Sequence, residues 1–189
     1  MVGCSAEVLE STISICDYVH TVPSSDDSQR LQAIERLERK LVHAEQHIPD
    51  AEMTNETNTD KSTVKIAELF RLAGLIYLYR ACMRLSPVSP KVAGAVESAF
   101  NILRTLNTCD RSFPLLIVAC EAQNDEDRLL VLDLLRRTRA SRKIGNLAVA
   151  QQFIESSWAQ DDLDTAKEVG YVQKFDTIIS RSEYLPSFA

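Results

Sequence analysis

Three groups of residues have types and spacings that could carry chemistry. His43 and His47 stand four apart, the separation at which two imidazoles on one helical face can share a metal ion. No third ligand follows at a suitable distance, so a polar helix face accounts for them better. Asp161, Asp162 and Asp164 form an acidic cluster of the kind that can hold magnesium. Neither a second acidic motif nor a basic diphosphate clamp accompanies it, which favours a solvated loop and helix cap. Arg136, Arg137, Arg139, Arg142 and Lys143 could touch nucleic acid or act as a nuclear import signal. The simpler account is that these cations complement the negative end of a helix. There is no G-x-S-x-G elbow and no glycine-rich phosphate loop. No catalytic residue, metal ligand, DNA-contacting residue or cofactor is therefore expected.

The cysteines Cys4, Cys16, Cys82, Cys109 and Cys120 are odd in number, with no C-x-x-C pair; they read as reduced, mostly core thiols. A net charge of −6 argues against a nucleic-acid binder, since neutralising phosphates needs a concentrated positive surface. The opening MVGCSAEVLE lacks the basic and continuous apolar regions of a secretory signal. Gly3 lies one position too late for myristoylation. The longest apolar-rich run, 66–85, is interrupted by Glu68, Arg71, Arg80 and Arg84, and no membrane span is expected.

The elements that must position these residues are helical. Hydrophobic content of 45% with 25% charged is ordinary for a globular chain, and only 5 glycines in 189 residues favours helices over a turn-rich β fold. The length suits one domain that buries about 70% of its unfolded surface. The organising stretch is Ser112 to Trp158. Phe113 to Cys120 carries no charged residue, and a helix without a polar face needs neighbours all round it. Ser112 is expected as its cap, with Pro114 in the first turn. Asn124 should cap the next helix, with Asp125, Glu126 and Asp127 over its positive end and Gly145 as its left-handed stop. Asn146 then caps a helix ending at Trp158, and a last helical pattern runs from Ala166 to Ile179.

Upstream, Val8, Leu9, Ile13, Cys16 and Val19 predict a helix from Ala6 to about His20. Leu31, Ile34, Leu37, Leu41 and Ile48 predict a surface helix over 26–47 with one buried stripe. Residues 49–61 read as a flexible loop. From Ser62 a broad apolar pattern returns, too wide for one stripe, and Ser86-Pro87-Val88-Ser89-Pro90 stops that helix and starts another to about Leu106. The expected fold class is all-α: a single domain of about eight antiparallel-packed helices in a layered array, with a core of about residues 62–159. Glu121, after the apolar run, is expected either half-buried against an arginine such as Arg71 or Arg80, or facing water from a frayed last turn.

AELFRLAGLIYLYRACMRLSPVSPKVAGAVESAFNILRTL followed by SFPLLIVACEAQNDEDRLLVLDLLRRTRASRKIGNLAVAQQFIESSW resembles the C-terminal half of the fungal-specific transcription factor domain. That domain is the helical regulatory region of fungal binuclear zinc-cluster transcription factors. The resemblance runs from about Lys65 to Trp158. It is carried by Leu69 to Leu78 with Tyr77, by Phe113 and Pro114 to Ala122 with Cys120 and Glu121, and by Gly145, Asn146 and Trp158. Ala119 replaces the family's glycine, Phe113 its tryptophan, and the six-cysteine zinc cluster is absent. The resemblance implies a nuclear regulator of transcription without catalysis, working through a protein partner, self-association or a small-molecule effector. It implies no direct DNA binding by this chain. The rival expectation is a stand-alone helical enzyme or ligand-binding protein. Its apolar pocket would lie between two helices, lined by Tyr77, Tyr79, Cys82 and Cys120. A third is a scaffold that docks a partner helix on the 26–47 stripe.

Overall fold

The computed structural model describes residues 5–20, 27–44, 58–141, 146–163 and 170–181, with backbone alone at 27, 58–61, 146 and 181. The fold is all-α. Among the described residues there are eight α-helices, one π-helical segment and no strand. The helices gather into two compact units, up to Ala95 and from Val96.

The first unit holds α1 (Ala6–His20), α2 (Asp27–His43), α3 (Asn58–Tyr77), the π-helical segment Leu78–Cys82 and the start of α4 (Pro90–Thr105). Helix α1 packs on α2, α3 and the π segment. Its buried face is Val8, Ser11, Thr12 and Ile15, rotated away from the expected apolar set, and Ile13 is 53% exposed. Small residues decide this. A Cβ placed on Gly74 of α3 would lie 3.3 Å from Thr12 Oγ1 and 3.4 Å from Leu41 Cδ2, so three helices meet where side chains are smallest. Thr12 enters that contact with its hydroxyl already donating to Val8 O at 2.8 Å.

In α2, Ile34 and Leu41 are buried and Leu37 half-buried, but Leu31 is 60% exposed, so the stripe is shorter than the periodicity suggests. His47 lies outside the described residues, as does 49–57 of the expected loop. Helix α3 already begins at Asn58, four residues before the pattern returns. Arg71 joins α3 to the end of α2: its guanidinium donates twice to Glu68, at 2.8 and 2.6 Å, and once to Leu41 O at 3.0 Å. That carbonyl is among the last of α2, which have no partner within their own helix.

The long apolar helix expected to run to about Leu85 instead widens into the π turn, where Met83 N–H donates to Leu78 O at 3.1 Å. It stops at Arg84, whose φ of 53° is left-handed. Leu85 N–H returns to Tyr79 O at 2.9 Å, and Arg80 Nη1 donates to Leu85 O at 2.6 Å. Ser86 to Ser89 form a turn closed by Ser89 N–H on Ser86 O at 3.0 Å. Pro90 then opens α4 as expected, with Ser89 O accepting from Ala93 N–H at 2.8 Å.

The second unit holds the remainder of α4, then α5 (Ser112–Ala119), α6 (Asp125–Ser141), α7 (Asn146–Leu163) and α8 (Tyr171–Arg181). Helix α5 packs on α6 and α7, and α7 also on α6 and α8. Pro114 to Ala119 are all buried, as a helix lacking a polar face must be, while Phe113 at its start is half-buried. Ser112 is not the cap. Arg111 holds the extended cap conformation without a side-chain bond to the helix's first N–H groups, and Ser112 is already the first helical residue. Asn124 does cap α6: its Oδ1 accepts from Asp127 N–H and its Nδ2 donates to Asp127 Oδ2, both at 2.8 Å.

Helix α7 runs past Trp158 to Leu163, so Asp161 and Asp162 lie on its last turns rather than in a loop; Asp164 is outside the described residues. The extension is held from two sides, by Arg128 on Asp162 and Lys174 on Asp161. Of the last expected helix, residues 166–169 are likewise outside, and α8 is described from Tyr171.

Candidate functional site

The residues expected to line an apolar pocket belong to both units. In the first, Tyr77 ends α3, and Tyr79 and Cys82 lie in the π segment; all three are buried. The Tyr79 hydroxyl bonds to Glu38 of α2, and Glu38 Oε1 takes Lys91 Nζ of α4 at 2.6 Å. The Lys91 ammonium also lies 5.5 Å from the centre of the Tyr79 ring. Burial and the neighbouring carboxylate push the phenol up to about 12, so it stays protonated and can donate. Cys82 is pushed up to about 11 by burial, against a smaller opposing pull from Arg30 and with Cys16 adding to the rise. Arg30 itself stacks 5.7 Å from the Tyr18 ring centre. None of these thiols is poised as a nucleophile, since the reactive species is the thiolate.

In the second unit Trp158 of α7 meets the C-terminal end of α5, next to Cys120 and Glu121. Beyond Ala119 the chain closes by Cys120 N–H on Leu116 O, Glu121 N–H on Val118 O and Ala122 N–H on Ala119 O, each at 3.1 Å. Trp158 Nε1 donates to that same Ala119 O at 2.8 Å, from buried surroundings. Arg128 of α6 stacks over the Trp158 ring at 5.5 Å, reaches Ala122 O at 3.4 Å and grips both oxygens of Asp162 at 2.8 Å. A tryptophan and an arginine from two neighbouring helices thus donate to carbonyls at the end of α5 and in the turn that follows it.

Cys120 is fully enclosed and pushed up to about 12 by burial, with the Ser157 hydroxyl and the Lys174 charge pulling weakly the other way. Glu121 is only 6% exposed, which removes the water-facing alternative. Pro114 lies buried in the first turn of α5 and Phe113 beside it; Asn146 opens α7, its side chain outside the description. These positions are ones that order a helix junction, and nothing among them forms a nucleophile, base and oxyanion set.

The described basic candidates are engaged in ion pairs and hydrogen bonds within the fold. Arg136 and Arg137 pair with Asp133 at 2.6 and 2.8 Å. Arg137 Nη1 also donates to Leu106 O and Asn107 O just past the end of α4, and Arg139 reaches Gln151. Arg142 and Lys143 lie outside the described residues. Among those residues no group of three histidine, cysteine or acidic side chains could hold a metal, and no helix is long and apolar enough to cross a membrane.

Sequence reading missed three arrangements. Lys174 on α8 is buried and binds both Asp161 oxygens, at 2.7 and 2.6 Å. Thr138 on α6 accepts from Cys109 N–H at 2.9 Å while donating to Leu134 O at 2.7 Å. Glu38, Tyr79 and Lys91 form the third. Each joins residues 12 to 53 positions apart with no local signature; only the spacing of Lys174 in an otherwise apolar face hinted at an inward cation.

A family model described as the fungal specific transcription factor domain matches residues 1–179. The transcription factor iacI of Pestalotiopsis fici is 31% identical over 123 residues, 65% of this chain and 32% of that protein. The chain therefore spans about a third of the length of this curated relative. No solved structure matches the present chain.

Proposed function

The chain belongs to the fungal-specific transcription factor domain family, and from that premise we propose that it acts as one helical regulatory domain in the control of fungal transcription. The family is not one of enzymes. The observation that carries the reading is the match over residues 1–179, nearly the whole chain. The proposal extends to mechanism: regulation by a protein partner, self-association or a small effector, in the nucleus, with sequence-specific DNA contacts made outside this chain.

The test is a fusion. The isolated chain should give no shift of a DNA site recognised by a zinc-cluster region, and fusing that region should restore binding. Reporter output from the fusion should then differ from that of the zinc-cluster region alone. Equal output with and without the helical chain would overturn the regulatory role, and a site-specific shift by the chain alone would overturn the division of labour.

Small-molecule control has one feature in its favour. Tyr79 and Cys82 lie in a π turn, a distortion that recurs at functional sites, and the Tyr79 hydroxyl is held protonated. An apolar effector at Tyr77, Tyr79 and Cys82 should raise the melting temperature of the chain and lose that effect in Tyr79→Ala. A metabolite library producing no stabilisation would remove the reading.

A further inference from the structure

The turn between the π segment and α4 has a composition found nowhere else in the chain. Of the 6 prolines, only Pro87 and Pro90 follow a serine or threonine, and both fall in Ser86-Pro87-Val88-Ser89-Pro90. The turn projects outward: Val88 is 79% exposed, Ser86 is exposed and Ser89 half-exposed. Neither serine hydroxyl makes a hydrogen bond among the described residues, and the backbone bond between Ser89 and Ser86 is the turn's own closure. Around it stand three cations. Arg84 precedes it, Arg80 holds Leu85 O at 2.6 Å, and Lys91 follows, paired with Glu38.

We infer that this turn is a phosphorylation site for a proline-directed serine/threonine kinase, with Ser86 the principal acceptor and Ser89 the second. The inference does not depend on the regulatory reading above. The proline after each serine presents a backbone without an N–H, the feature such kinases select. The phosphoryl group comes from a nucleoside triphosphate. The seryl Oγ–P bond forms, the β,γ-bridging P–O bond breaks with its electron pair leaving on the diphosphate, and the hydroxyl proton passes to the kinase's general base.

The consequence is electrostatic. A phosphate adds nearly two negative charges and three acceptor oxygens beside these cations. Lys91 is the exchangeable one: its side chain is 53% exposed at the Glu38 contact, and it follows Ser89 by two residues, so a phosphate on the turn competes with Glu38 for it. Drawing Lys91 off Glu38 removes the tie between α4 and α2 and leaves Tyr79 with an unneutralised acceptor. The modified turn therefore loosens α2 against the π segment within the first unit.

The experiment treats the full chain with a mitogen-activated-type kinase and ATP, maps phosphate by fragmentation mass spectrometry, and follows amide hydrogen exchange across α2. Phosphate is expected on Ser86, with Ser89 as the minor site, and incorporation should vanish in Ser86→Ala/Ser89→Ala. Exchange around Glu38 should quicken about two- to fivefold, the scale of a lost surface ion pair. Unmodified Lys91→Ala should show the same change and phosphorylation should add nothing further to it. No incorporation, or phosphate confined to other residues of the folded chain, overturns the site. Phosphate on Ser86 without any change in α2 exchange overturns the coupling. Mapping on the unaltered chain does not depend on how the variants fold.

Discussion

Single side chains in this protein act chiefly by satisfying buried backbone groups, and their substitutions should separate by what is left behind. Thr138→Val keeps the shape but strips the acceptor from Cys109 N–H, leaving a buried donor unpaired. It should cost about 1–3 kcal/mol in urea unfolding, with Thr138→Ser largely restoring stability. Ser11 is the reverse case. Its hydroxyl is buried in α1 with no hydrogen-bond partner among the described residues, so Ser11→Ala should be neutral or stabilising by up to about 1 kcal/mol in the same measurement. The Lys174–Asp161 pair combines both logics. Asp161→Ala strands a buried ammonium and should destabilise more than Lys174→Met, which replaces it with an apolar side chain of similar length. Thiol reactivity follows from burial: Cys82, Cys109 and Cys120, raised to about 11, 11 and 12, should resist alkylation at pH 8 until the chain unfolds.

At the scale of elements, helix ends carry the specificity. The stop after the π segment places Arg84 in a left-handed conformation that costs a residue with a Cβ about 1 kcal/mol, so Arg84→Gly should raise the denaturation midpoint by a corresponding amount. Failure to do so would mean that the Arg84 side chain contributes as much as its backbone loses. The end of α7 offers a pH-dependent counterpart. Hydrogen bonds from Arg128 hold the Asp162 carboxyl below its usual value of 3.8, with the guanidinium charge adding to them. A depressed acid contributes stability that is present above the unfolded value and lost as pH falls through the lowered one. The melting temperature should therefore drop more between pH 5 and pH 3 in the native chain than in Asp162→Asn. High salt should narrow the gap because the carboxylate is exposed. These elements also show what the sequence can disclose. Periodicity located α1, and proline and asparagine marked where α4 and α6 begin, because those signals are local. The turned face of α1 was illegible, since it depends on Gly74 arriving from α3. So was the π turn, which differs from an α turn by one residue's worth of backbone and leaves the apolar pattern intact.

For the molecule as a whole, the all-α class was readable from low glycine content, capped periodic segments and one run with no charged residue. The contacts that matter at the candidate site were not, because each joins distant stretches of chain: Trp158 to Ala119, Arg128 to Asp162, Lys91 to Glu38. Regulation through association predicts a sedimentation coefficient that rises with concentration or on adding a partner protein. The Trp158 bond adds something practical. Trp158 is the protein's one indole, its N–H is committed to Ala119 O, and a guanidinium lies against its ring. Its emission is thus a built-in optical gauge of the α5–α7 junction, and any ligand or modification that reaches that junction will announce itself as a spectral shift without a label being attached.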